Sequence, residues 1–187
     1  MHDNAVRMFK EIGIKNGVLM LSGFYEDGEF YVYDTGFRLQ GEAPHLLMKA
    51  IHGFDQREML IRFALTGSEG TVDLSADDDT HLRGKWASTL WILLKKGEIA
   101  MIEGLESISC DHRVVANIQR LHEGDTVMPE WVGTEKQVLT RMYLVCDSKQ
   151  ELAECLKEYQ AKIKVYDRDG NSLVLKGFDV DKALELK

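Results

Sequence analysis

The chain has 187 residues, 44% hydrophobic and 29% charged, which is the balance of a soluble globular protein long enough for one domain or two small ones. Its 23 basic and 31 acidic side chains leave a net charge of −8, which excludes the basic footprint of a general nucleic-acid or anionic-membrane binder but not one small anion held by an arginine. No apolar run is long enough to span a membrane, and Met1-His2-Asp3 begins no secretory pattern. The three cysteines, Cys110, Cys146 and Cys155, are odd in number and lack metal-ligand spacing. They read as reduced, mostly buried thiols of a cytoplasmic protein.

Residues 2 to 12 predict a helix, with Asp3 or Asn4 as cap, Val6, Phe9 and Ile12 at helical spacing, and Gly13 as the stop. Residues 18 to 36 predict a β-hairpin turning at Asp27-Gly28, a strong short hairpin signal. Its second strand, Phe30 to Tyr33, is aromatic and β-branched and suits a half-buried sheet face. Pro44 suits the first turn of a helix that runs from His45 to His52 and stops at Gly53. Asp55 caps a further helix, with Met59, Leu60, Phe63 and Ala64 on its apolar side, ending at Gly67. Residues 68 to 85 are polar and turn-rich, and a domain boundary is expected there.

Beyond it β signals lead. Strands are expected over 86 to 94 and 98 to 102, joined by a turn at Lys95-Lys96-Gly97. Residues 111 to 121 suit helix or strand. A strand over 138 to 146 precedes a helix over 149 to 161, capped by Asp147 or Ser148, with Leu152, Cys155, Leu156 and Tyr159 on one face. Strands follow at 163 to 166 and 172 to 175, around the turn Asp167-Arg168-Asp169-Gly170-Asn171. The fold class is α+β.

The chemistry concentrates after the second hairpin strand, where Asp34, Arg38, Gln40 and Glu42 are interleaved with Gly36 and Gly41. A carboxylate at a strand end could hold a divalent cation. Read locally, Asp34 and Arg38 make only an exposed ion pair. The histidines read as surface or helix-face residues. Asp77-Asp78-Asp79 reads as a solvated acidic loop, and Trp86 and Trp91 as core or edge packing.

The run Asp34-Thr35-Gly36-Phe37-Arg38 is similar to the Glu-x-Asn-x-Arg that closes the second strand in the C-terminal half of an ATP-grasp domain. Arg38-Leu39-Gln40-Gly41-Glu42-Ala43-Pro44 is similar to the Arg-Leu-Gln-Val-Glu-His-Pro run of biotin carboxylases, and Gly53-Phe54-Asp55 to their Gly-Val-Asp. Residues 16 to 67 thus resemble that half-domain, the fold of biotin carboxylase, the carbamoyl-phosphate synthase large chain and many carboxylate–amine ligases. The later residues resemble, more loosely, the small module that packs after it. The resemblance implies domains at 1–68 (C-terminal ATP-grasp subdomain, antiparallel sheet with helices) and 75–187 (β-rich module with a strand-helix-strand unit). It implies ATP and Mg²⁺ as cofactors, and ATP and a small carboxylate as partners. No nucleic-acid or membrane partner is expected, and a homo-oligomer is compatible with the sequence. The implied roles are Asp34 on the metal, Arg38 as the catalytic arginine on phosphoryl oxygens, and Gln40 and Glu42 beside the substrate.

The sequence also departs from that pattern. Asp34 is one methylene shorter than Glu, Gly36 replaces an Asn ligand, and Ser22 stands at the first-strand ligand position. Gly67-Ser68-Glu69-Gly70, the only glycine-rich run, lacks a lysine and reads as a loop. The chain is therefore expected to be a C-terminal piece of a larger ligase. The alternative is a binding or scaffold module that kept the fold and lost the chemistry.

Overall fold

The computed structural model describes residues 2–73, 79 and 81–185. Two compact units separate, one of Met1–Lys49 with Gly53–Asp77 and one of Ala50–His52 with Asp78–Lys187. Every strand pair is antiparallel, so the α+β class stands.

In the first unit, helix α1 (His2–Glu11) precedes strands β1 (Met20–Glu26) and β2 (Glu29–Gly36), followed by α2 (His45–His52), whose last three residues are assigned to the second unit, and α3 (Gln56–Thr66). Because α1 already includes His2, Asn4 lies inside the helix and does not cap it. The end of α2 is set by Gly53, whose φ of 84° lets its N–H bond the Lys49 carbonyl. At α3 the Asp55 carboxylate accepts from the Arg57 N–H at 2.9 Å, as the sequence predicts. The hairpin is a sheet of two strands only. Tyr31, Val32 and Tyr33 are exposed, which corrects the expected half-burial. A β-branched and aromatic pattern specifies a strand, but half-burial also needs a layer laid over it.

The second unit holds the larger core. Strand β3 (Trp86–Leu93) is followed by β4 (Gly97–Glu98), β5 (Met101–Glu103), helix α4 (Leu105–Ser109), β6 (Val114–Gln119) and β7 (Thr126–Val127). Strand β8 (Val138–Cys146), helix α5 (Lys149–Lys162), strand β9 (Lys164–Tyr166) and helix α6 (Val180–Glu185) complete it. The main sheet runs β3-β8-β6. All residues of the central strand β8 except Val145 are buried. Leu90, Ile92, Met142 and Leu144 of the sheet cluster with Leu152, Cys155, Leu156 and Tyr159 of α5, the helix face expected from spacing. Ser148 caps α5, accepting from the Glu151 N–H at 3.1 Å.

Three expectations change here. The turn at Lys95-Lys96-Gly97 does not fold β3 onto its successor. Instead β3 pairs with β8, β4 with β7, and β5 with β9. Burying β3 against the apolar strand β8 outranks a local turn signal. Residues 111 to 121 resolve as the strand β6, whose β-branched residues pair with β8. The segment 172 to 175 forms the isolated bridges Tyr166↔Ser172 and Leu94↔Val174 in place of a continuous strand. Cys146 and Cys155 are buried but Cys110 is exposed. Of the acidic triplet, Asp77 and Asp78 lie outside the described residues; the Asp79 carboxylate accepts from the His81 and Arg83 N–H groups, both at 2.9 Å.

Candidate functional site on the β1–β2 hairpin

Asp27 and Gly28 have φ of 51° and 86°. Positive φ at both central residues is the twist that joins two strands through a two-residue turn. From the turn the register runs Glu26↔Glu29, Tyr25↔Phe30, Phe24↔Tyr31 and Gly23↔Val32, and the next pair is Ser22↔Asp34. Tyr33 is an extra residue, a β-bulge.

The bulge decides which side chains share a face. Without it Ser22 would oppose Tyr33, and Asp34 would turn to the other side. With it Ser22 faces Asp34, and Met20 faces Gly36. Gly23 makes it possible, since a Cβ there would lie 2.6 Å from both the Phe30 ring and the Tyr31 carbonyl oxygen. The Phe24 and Tyr33 rings sit 5.0 Å apart, which places an exposed aromatic pair on the same face as Ser22 and Asp34.

Beyond Gly36 the Arg38 side chain folds back. A Cβ at Gly36 would stand 3.5 Å from Arg38 Cγ and 3.2 Å from Met20 Cε. The guanidinium donates to the Leu39 carbonyl at 3.0 Å. It makes no ion pair with Asp34 among the described residues, so the local expectation of an Asp34–Arg38 surface pair is corrected. The intervening Gly36 and Phe37 carry the two charges apart, and the arginine lies along the backbone. Gln40 and Glu42 do meet, with Gln40 Nε2 donating to Glu42 Oε2 at 2.6 Å.

The sequence understated two further residues, both on α2. His45, at the start of α2, is buried, with no partner for Nδ1. Burial lowers its pKa, Arg57 lowers it further, and Asp55 opposes them, so the imidazole is neutral near pH 7. His52 is buried as well, so of the expected surface or helix-face positions both take the helix face and neither is at the surface. Asp55 is buried with Lys49 at 3.6 Å and Arg57 at 3.3 Å. Burial raises its pKa, but the Arg57 side-chain and backbone donors and Lys49 more than offset that and leave it below the usual carboxylate value.

A hard divalent cation takes oxygen ligands. This face offers the Asp34 carboxylate and the Ser22 hydroxyl opposite it, and Gly36 adds nothing. Among the described residues no group of three or more His, Cys, Asp or Glu side chains is placed to hold a metal. The donor set fits Mg²⁺ carried chiefly by phosphate oxygens and water, with one protein carboxylate, and does not fit a cage built from protein alone.

Gly23 and Tyr33 were missed as site-building residues. The signal was present, since a lone glycine inside a strand pattern marks a bulge or a close approach.

No family model matches the chain, and no curated protein does. Solved structures do. The phosphoribosylglycinamide synthetase from Anaerococcus prevotii is similar over 89% of this chain, with a TM-score of 0.73 at 14% identity. The L-amino acid ligase from Bacillus licheniformis is similar over 90%, with a TM-score of 0.65 at 17% identity. The fold is shared with ATP-grasp ligases. This chain spans 41% and 42% of the length of those two structures. Among the described residues no helix is long and apolar enough to cross a membrane.

Proposed function

We propose that this chain is the C-terminal part of an ATP-dependent carboxylate ligase in the manner of carbamoyl-phosphate synthase. Residues 1–68 form its second ATP-grasp subdomain and 75–187 an accessory module. The observation that carries the reading is the bulged hairpin. It turns Asp34, Ser22 and Gly36 to one face, with Arg38 two residues further on, in a fold shared with ligases.

The reaction activates a carboxylate as an acyl phosphate, which an amine then attacks with loss of phosphate. Asp34 would hold Mg²⁺, which when bound offsets phosphate charge. Arg38 holds phosphoryl oxygens with a planar, permanently charged donor fork. The Gln40–Glu42 pair orients the substrate carboxylate, Gln40 through its amide N–H donors. His45, buried and held neutral, adds no competing cation.

The test is ADP release by the full-length protein carrying this sequence, given Mg²⁺, ATP and a panel of carboxylates and amines. Release that falls at least about 100-fold in Asp34→Asn and Arg38→Met supports the reading. No release across the panel, or release indifferent to both variants, overturns it.

A second reading, a module that kept the fold and lost the chemistry, is favoured by Ser22 and Gly36 standing where the resemblance calls for ligands. The reading frame upstream separates the two. A glycine-rich loop with phosphate-binding lysines favours the enzyme, and their absence favours the module.

A further inference from the structure

Strand β3 is an edge strand, paired along one side to β8. Among the described residues its outer edge is tied only near its end, where the Leu175 N–H bonds the Leu93 carbonyl at 2.9 Å and Leu94 bridges Val174. The chain then crosses α5 at Gly177, where any Cβ would overlap the Gln160 side-chain amide. Gln160 Nε2 donates to the Phe178 carbonyl at 3.4 Å. Between the strand edge and this crossing lies a cavity of about 370 Å³, lined by Thr89, Trp91, Leu93, Gln160, Lys176 and Phe178 among others.

The lining has the composition of a small-molecule site, an apolar floor with a few convergent polar groups. The Trp91 ring is held by the Arg141 guanidinium, 4.2 Å from its centroid, and Arg141 is itself paired with Glu135 at 2.9 Å. The Thr89 hydroxyl and the Lys176 ammonium have no hydrogen bond or ion pair among the described residues. Among the described residues Lys176 is the one charged residue in the lining, and no carboxylate lines the cavity. That is unusual on a chain of net charge −8. The acidic residues that follow are engaged elsewhere, since Asp179 accepts from the Lys182 N–H at 3.2 Å and Asp181 pairs with Lys157 at 2.6 Å.

The geometry points to a second ligand site here, separate from the hairpin, for a small aromatic carboxylate. Its ring lies against Trp91 and Phe178, its carboxylate meets Lys176, and Thr89 supplies a further hydrogen bond. The volume, at the lower end of ligand pockets, suits one fused ring with a short acidic arm. This site does not depend on the ligase reading.

The test is an NMR titration of the ¹⁵N-labelled 187-residue chain with indole-3-acetate, its neutral analogue tryptophol and its cationic analogue tryptamine. The expected result is saturable shifts at Thr89, the Trp91 indole N–H, Gly177 and Phe178, strongest for the acid and weakest for the amine. Lys176 is exposed, so Lys176→Glu leaves the fold intact; it weakens the acid at least about fivefold and leaves tryptophol within about twofold. Thr89→Val weakens the acid about two- to fivefold. No saturable shift up to about 10 mM, an affinity too weak to matter, overturns the site. So do shifts centred elsewhere, equal response to acid and amine, or indifference of the acid to Lys176→Glu.

Discussion

If the bulged hairpin is a metal-ligand scaffold with two ligands missing, restoring them should restore metal binding. Ser22 and Asp34 are direct cross-strand partners, so their Cβ atoms lie about 5 Å apart on one face. The double variant Ser22→Glu with Gly36→Asn places two carboxylates and a carboxamide around one point. A second carboxylate about 4 Å from a dication in a water-like dielectric contributes about 2 kcal/mol. Fixing the new glutamate side chain offsets about 1 kcal/mol of that, and the carboxamide oxygen recovers a few tenths. The net is about tenfold in affinity. The structure accommodates the change, because the nearest atom to a Cβ at Gly36 is the flexible end of Met20, 3.2 Å away. Like charges directly opposite cost less than about 1 kcal/mol of hairpin stability. Mn²⁺ titration followed by the electron paramagnetic resonance of the free ion measures the affinity, and broadening of the amides at 22 and 34 places the ion. Adding Asp34→Asn to the double variant should return binding to the wild-type level. Unchanged Mn²⁺ affinity in a double variant whose cross-strand 22–34 contacts persist would refute the scaffold reasoning.

Three other outcomes follow from the same structure. Asp111 accepts from Arg113 through Nε at 3.0 Å and Nη2 at 2.6 Å, and these bonds hold its pKa well below the usual carboxylate range. Asp111→Asn should therefore destabilise the second unit by about 2 kcal/mol at pH 7, read by urea unfolding with tryptophan fluorescence, since Trp86, Trp91 and Trp131 all lie in that unit. Because the folded-state value is depressed, the contribution is whole above about pH 4 and is lost as pH falls through the folded value; a gap between wild type and variant that stayed constant down to pH 2 would contradict the pairing. In hydrogen exchange the β1–β2 amides, in an exposed sheet of two strands, should exchange at least about 10³-fold faster than those of β8, and equal protection would show the hairpin to be covered in solution. Calorimetry on this 187-residue chain alone should detect no ATP binding tighter than about 1 mM, since it holds no lysine-bearing phosphate loop; micromolar affinity would refute that.

How legible each part was depended on the range of the interaction behind it. The Asp27-Gly28 turn, the Asp55 cap and Gly67 stop of α3, and the buried stripe Leu152–Cys155–Leu156–Tyr159 of α5 are set within one or two turns of chain, and all were readable. Which strand β3 pairs with was not. Its partner lies some fifty residues on, out of reach of any local pattern, where the largely buried strand β8 takes β3 along one edge and β6 along the other. The candidate residues were legible in sequence as a cluster of polar residue types, yet the face that Ser22, Asp34 and Gly36 share was not derivable by counting from the turn. A plain two-residue hairpin sets Ser22 against Tyr33. One inserted residue, admitted by the missing Cβ of Gly23, turns Asp34 and Gly36 onto the Ser22 face.

That inserted residue also bears on the choice between enzyme and relic. A bulge interrupts the ladder and leaves Tyr33 without a partner across the strand, a cost that a hairpin used only as a brace has no reason to carry. Its effect is to set one carboxylate opposite one hydroxyl on a shared face. Placement of that kind is what a phosphate and a cation require of a protein. It would equally be inherited by a module that had since exchanged its other ligands for Ser22 and Gly36. The scaffold geometry is common to both readings, so the Asp34 and Arg38 variants, assayed for ADP release, are needed beside the upstream reading frame to separate a working site from an inherited frame.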